Sequence, residues 1–157
     1  MKILLTVVGK TSTDYLIDGI DRYIKRIGHY VPFEMKVLPD VKMPKNGTTD
    51  KQKQLEGNML LAELKPNDHL ILLDERGKQY TSREFAAFID NRMVNVAGRI
   101  IFAVGGPYGF SPEVYARANG MISLSKMTFS HEMVRLFFVE QIYRAMTILR
   151  GEPYHHD

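Results

Sequence analysis

Apolar runs and helix-spaced patterns alternate five times along the 157-residue chain, and no other feature restricts its fold as tightly. The runs fall at residues 2–9 (KILLTVVG), 33–39 (FEMKVLP), 68–74 (DHLILLD), 99–104 (RIIFAV) and 121–125 (MISLS). The first helical pattern starts after Ser12 or Thr13 as N-cap and places Leu16, Ile20, Tyr23, Ile24 and Ile27 on one stripe. Further helices are expected over 48–64, capped by Thr48 or Thr49, and over SREFAAFIDNRMV, with Ser82 as its cap. A short one should follow Ser111 with Pro112 at its first position, and a long one should span 131–149. A continuous apolar strand such as DHLILLD suits a sheet covered on both faces. The expectation is one α/β domain over 1–157, with a largely parallel sheet flanked by helices.

Several function classes drop out. The chain has no cysteine, which removes disulfides and thiolate metal sites. It has no 18-residue apolar run, so no membrane span is expected, and MKILLTVVG lacks the small-residue cleavage site of a leader. The cytoplasm is the expected compartment. Gly9, Lys10 and Thr11 imitate the end of a phosphate loop, but Leu4 stands where that motif requires its first glycine. The dinucleotide pattern G-x-G-x-x-G is absent, because the glycine loop reads G-G-P-Y-G late in the chain. No H-E-x-x-H and no G-x-S-x-G occurs, and the five histidines show no metal spacing, so no metal is expected.

Parallel sheets gather ligands beyond the carboxyl ends of their strands. Three segments should meet there: LLDERG, VGGPYG and SLSKMTFS. The glycine loop reads either as a plain strand-to-helix turn or as part of a pocket of backbone groups suited to an adenosine-like ligand. The last helix is apolar over an arc of about 200°, wider than the usual core-facing stripe. It is either a central buried helix or one shared between its own sheet and a second subunit. Arg135 lies within that arc and needs a carboxylate or carbonyl partner, whereas Arg144 lies on the polar side, where it could reach a phosphate. The tail GEPYHHD reads as a frayed end or as a segment folding back over a pocket. In the second case Tyr154, His155 and His156 are chemically competent.

The ordered set GGPYG, SLSKMT, EQIYRA and PYH, together with KILLTVVGK and LDERGK, closely resembles the RlmH family of ribosomal RNA methyltransferases, within the SPOUT superfamily of α/β-knot enzymes. The resemblance covers essentially the whole chain. It implies a trefoil knot in the cofactor-binding part, about 70–157, which neither spacing nor periodicity suggests. It also implies a homodimer that uses S-adenosyl-L-methionine to methylate N3 of a pseudouridine in a 23S rRNA stem-loop of the assembled ribosome. The cofactor-holding positions carried over are Leu73, Gly105, Gly106, Leu124, Ser125, Lys126, Met127, Thr128 and Phe129. The family's C-terminal triplet falls on Tyr154, His155 and His156, although the family has Lys or Arg where this chain has His156.

Methyl transfer from a sulfonium needs alignment of donor and acceptor and help with one proton. Glycines would admit backbone close to the cofactor, and Leu73, Leu124 and Met127 would flank its adenine. His155 is the candidate base, with His131 a weaker one, and Arg144 and His156 would hold phosphate or stabilise enolate-like charge. Arg22, Lys25 and Arg26, and Lys42, Lys45, Lys51 and Lys53, are candidates for an RNA-facing surface, against the plain reading of solvated charge on a chain of net charge +3. Two rival functions remain: a catalytically impaired ribosome- or RNA-binding α/β module, and a knot methyltransferase acting on another RNA.

Overall fold

The computed structural model describes residues 2–43 and 45–156. Five strands form one parallel sheet: β1 (Ile3–Val8), β2 (Phe33–Leu38), β3 (His69–Gln79), β4 (Ile100–Val104) and β5 (Gly120–Ser123), in the order β2-β1-β4-β3-β5. The helices are α1 (Asp14–Ile27), α2 (Thr49–Glu63), α3 (Ser82–Asn95), α4 (Pro112–Arg117) and α5 (Met133–Leu149). The expected alternation therefore holds element by element.

Period-two alternation splits the apolar side chains between two cores. Ile3, Leu5 and Val7 face one side with Phe102 and Ile71, covered by α1, α3 and α5. Leu4, Leu70, Leu72 and Ile101 face the other, covered by α2 and α4 through Leu60 and Val114. The central strands are buried on both faces, as their unbroken apolar runs require. Helix α5 packs between α1 and α3 on the first face. Phe138 meets Phe102 with ring centres 4.8 Å apart. The wide apolar arc of α5 is thus largely absorbed within the subunit, although Phe137 stays 45% exposed beside Phe129.

Two helix starts differ from expectation. Thr13 stands at the N-cap of α1 without a side-chain cap bond. Instead the Glu132 carboxylate, from the other end of the chain, accepts from the Ser12 backbone N–H at 2.6 Å and the Ser12 hydroxyl at 2.8 Å. Helix α3 is capped by Thr81, not Ser82. Thr81 and Glu84 form a reciprocal capping box, and the Ser82 hydroxyl donates to Gln141 on α5. The expected caps Thr48 on α2 and Ser111 on α4 do accept from Lys51 and Val114.

Strand β3 runs past Asp74, where the apolar run ends, to Gln79. Leu73 and Lys78 both pair with Ile122, with a register break between them. Residues 74–77 consequently travel around β5. Gly77 lies flat against that strand, and a Cβ there would come 2.6 Å from the Ile122 backbone. Only glycine fits this crossing.

Candidate active site

The three loops expected to meet do so at the carboxyl edge of the sheet. They enclose a cleft of about 920 Å³ lined by Leu73 to Arg76, by 104–110, and by 122–125 with 127–131. Of the nine expected cofactor positions, Leu73, Gly105, Gly106, Leu124, Ser125, Met127, Thr128 and Phe129 line it. Lys126 does not; its side chain points into solvent from the same loop.

Each loop owes its shape to internal bonds. In the glycine loop, the Gly109 N–H donates to the Gly106 carbonyl at 3.1 Å, and Gly109 sits at φ 84°, in the left-handed region. Gly105 and Gly106 have no such φ. A Cβ on Gly106 would lie 2.5 Å from the Glu56 carboxylate of α2, and one on Gly105 would press on the Phe110 ring at 3.2 Å. A side chain at Gly106 would require Glu56 or the loop to shift, and one at Gly105 would require the Phe110 ring to give slightly. Glu56 was invisible in the sequence as anything but a polar helix position. Burial raises its carboxyl above the ordinary value, against a smaller opposing effect of a bond with Gln52.

The hydroxyls of SLSKMTFS shape their own loop. The Ser123 hydroxyl donates to the Ser125 carbonyl, the Ser125 hydroxyl accepts from the Met127 N–H, and the Ser130 hydroxyl accepts from the Met133 N–H at the start of α5. On the third loop Asp74, with its side chain 8% exposed, accepts from the Tyr115 hydroxyl at 2.5 Å and from the backbone and side chain of Arg76. Burial pushes the Asp74 carboxyl up, but these bonds outweigh it and hold the group below its usual range. The Arg76 guanidinium lies over the Tyr115 ring at 4.6 Å. Tyr115 lies on the short helix α4, and nothing in its spacing marked it as a cleft residue.

Arg135 is 1% exposed and ties α5 to the β1–α1 connection. It donates to the carbonyls of Val8 and Gly9 and to the Thr11 hydroxyl, each at 2.9 Å, so its expected carbonyl partners are found. The residues Gly9 to Thr11, which imitate a phosphate loop, are in this way committed to a structural clamp.

The tail does not fold over this cleft. Tyr154 donates to Glu140 at 3.0 Å and shares a hydrogen bond with Tyr23, and its ring packs on Tyr143. Burial first, then the bonds to Tyr23 and Glu140, raise the Tyr154 hydroxyl well above its ordinary value. Arg144 also bonds Glu140, at 2.5 Å, and lies 3.0 Å from His155 Nδ1. Arginine has no acceptor, so Nδ1 accepts and the proton of the neutral ring sits on Nε2. His156 is exposed. Val134 lines the cleft, and Arg144 lies ten residues further along α5, roughly 15 Å away at 1.5 Å per residue. The expected catalytic set Tyr154, His155, Arg144 and His156 is therefore gathered on the α1–α5 face, apart from the cleft of its own subunit. Among imidazoles, His131 lines the cleft. Lys53 also reaches the cleft rim, paired with Asp50 at 3.6 Å.

Among the described residues no group of His, Asp and Glu side chains could hold a metal ion, and no helix is long and apolar enough to cross a membrane. The cleft's size lies within the range of sites for drug-sized ligands. Its lining includes the apolar Leu73, Val104 and Leu124.

Known proteins place the architecture in a family. A solved chain described as a probable methylase family protein from Haemophilus influenzae matches with TM-score 0.54 and 13% identity, over 95% of this chain and 66% of its own length. Proteins named ribosomal RNA large subunit methyltransferase H match over their full lengths. The one from Parabacteroides distasonis is 55% identical over all 157 residues, and the one from Porphyromonas gingivalis strain W83 is 52% identical over the same span. That from Cytophaga hutchinsonii is 53% identical over 156 residues, 99% of this chain. The family model for predicted SPOUT methyltransferases matches residues 1–155, and the chain belongs to the SPOUT methyltransferase family.

Proposed function

We propose that this protein is an S-adenosyl-L-methionine-dependent methyltransferase that methylates N3 of a pseudouridine in a 23S rRNA stem-loop of the assembled ribosome. It would act in the cytoplasm as a homodimer. The carrying observation is the three-loop cleft, whose lining coincides with eight of the nine positions of the family's cofactor site. The full-length relatives named as large-subunit rRNA methyltransferases support RNA as the substrate. The double pairing of Ile122 with Leu73 and Lys78 supports a threaded C-terminal segment, hence a trefoil knot over about 70–157.

The cofactor, when bound, supplies an electrophilic methyl group on a sulfonium. Leu73, Leu124 and Met127 would flank its adenine, and the backbone of 104–109 and 124–129 would bond its polar edges. This chain's own task is to align the acceptor and manage the N3 proton. His131 is the imidazole on the cleft wall and can accept that proton. His155, whose Nδ1 already accepts from Arg144, is better suited to donate from Nε2 to an oxygen of the developing imide anion. Arg144 holds it in that tautomer. The tail lies a helix length from its own cleft, so a dimer in which each tail serves the partner's cleft fits the geometry. His156 would contribute charge only when protonated.

Mass spectrometry of 23S rRNA from cells with and without the protein tests the activity. A single pseudouridine that loses its methyl group on deletion is the expected result; unchanged rRNA overturns the reading. Purified His131→Ala and His155→Ala variants should both lose turnover while keeping cofactor affinity. Full turnover in either removes that residue from the mechanism.

A further inference from the structure

We propose that the face built from the second half of α1, the end of α5 and the tail is the RNA-docking surface, gripping sugar–phosphate backbone beside the acceptor nucleoside through Arg26 and Arg150. This rests on the rRNA methyltransferase reading above.

Both arginines are exposed, and both are braced by tyrosine rings. The Arg26 guanidinium lies 5.5 Å from the ring centre of Tyr23 and 5.7 Å from that of Tyr143. Arg150 lies 4.7 Å from Tyr30. Four other arginines are paired with carboxylates: Arg22 with Asp18, Arg76 with Asp74, Arg99 with Asp68, Arg144 with Glu140; Arg117 and Arg135 donate to carbonyls, and Arg92 on α3 lies over the Phe88 ring. Among the described residues, Arg26 and Arg150 form no such ion pair. On the same face the Glu152 carboxylate accepts from the Tyr30 hydroxyl at 2.7 Å, and the two guanidinium groups lie over these rings.

That is the arrangement a phosphate oxygen pair requires. A guanidinium matches phosphate bidentately, and prior stacking reduces the side-chain freedom lost on binding. The surrounding rings continue the surface directly into the tail. Tyr143 packs on Tyr154 at 4.7 Å, and Tyr154 and His155 share Glu140 and Arg144 as supports. A strand held by Arg26 and Arg150 therefore passes beside the residues assigned to the acceptor base. The net charge of +3 is small, so a local pair of uncommitted guanidinium groups matters more than the bulk field. The surface shares no residue with the cleft of its own subunit, so RNA bound here is offered to the cleft of a second copy.

The test uses full-length protein and ribosomes from cells lacking it. Arg26→Ala/Arg150→Ala is compared with Arg26→Lys/Arg150→Lys and wild type, with methyl transfer followed from 50 to 200 mM salt. Losing two phosphate contacts should flatten the slope of log kcat/KM against log salt by about 1.4 to 1.8, at about 0.7 to 0.9 per contact. Over that fourfold range, this makes the variant's salt-induced loss about 7- to 12-fold smaller than wild type's. Cofactor affinity by calorimetry should not change. The lysine variant should keep the slope and lose part of the rate. Wild-type kcat/KM and slope in the alanine variant overturn the proposal. So does a loss of activity with an unchanged slope, which would mark a structural or protein-contact role. Wild-type protein that leaves ribosomes unmethylated fails the function reading instead, and is distinct from a wild type that works beside an indifferent variant.

Discussion

Replacing Arg135 by methionine should be among the most destabilising single changes in the chain that leave its apolar cores untouched. Methionine fills much of the same volume but carries no donor. The guanidinium makes three bonds at 2.9 Å, to the Val8 and Gly9 carbonyls and the Thr11 hydroxyl. Bonds from a charged donor contribute about 1.5–3 kcal/mol each, and a buried acceptor left unpaired costs about 1–3 kcal/mol. These values do not simply add, and removing the cation relieves a desolvation penalty, since burial lowers the Arg135 pKa. The carbonyls remain after the substitution, however, so the sign is destabilising, by about 2–4 kcal/mol. With a urea m value of about 2 kcal/mol/M, the unfolding midpoint should fall by about 1–2 M at fixed protein concentration, with m unchanged. Arg135→Lys, a point donor unable to fork to three acceptors, should fall between. A methionine variant within about 0.3 M of wild type would refute the reasoning, because it would mean that the β1–α1 connection is satisfied without the clamp.

Gly106→Ala should weaken cofactor binding by pushing the loop away from Glu56, and adding Glu56→Ala should restore much of it; a double variant no better than the single one in calorimetry would refute that packing. Tyr115→Phe removes a donor that holds the Asp74 carboxyl low. Because that pKa is depressed in the folded protein, the contribution is present above the ordinary carboxylate value and lost as pH falls through the folded one. The variant should therefore lose cofactor affinity at higher pH than wild type on acidification, and coincident acid limbs would contradict it. Gly77→Ala should detach 74–79 from β5, where a Cβ meets backbone at 2.6 Å, with loss of cofactor binding and a lower unfolding midpoint. A crystal structure of that variant with the β3–β5 pairing intact would show the crossing to be looser than described.

The order of elements could be read from the sequence because each strand and helix carries its own period. What could not be read depends on partners far away in the chain. DERGKQ is polar and turn-like, yet it extends β3 because Ile122 and Ser123 lie alongside it. Ser12 and Thr13 were reasonable caps, but their donors are served by Glu132, some 120 residues on. Ser82 lost the cap of α3 to Thr81 by one residue because only Thr81 stands three positions before Glu84. The three loops of the cleft were legible since strand ends must converge at a parallel sheet's edge. Glu56 and Tyr115, which support those loops from α2 and α4, had no local signal.

The tail carries the same lesson into mechanism. Its residue types suggested a base, and residue types alone could not say which nitrogen of His155 carries the proton. The answer lies in Arg144, a donor without acceptor capacity, whose position is fixed by Glu140, which in turn holds Tyr154. That chain of contacts places the proton of a neutral His155 ring on Nε2, and in the proposed mechanism proton acceptance falls to His131 on the cleft wall. The two histidines then have different and separable effects. Loss of His131 should leave a dependence on external base, with small imidazoles restoring part of the rate. Loss of His155 should resist such rescue, because an anion-stabilising donor must be held in place to act. Equal rescue of both variants would return the base assignment to the tail.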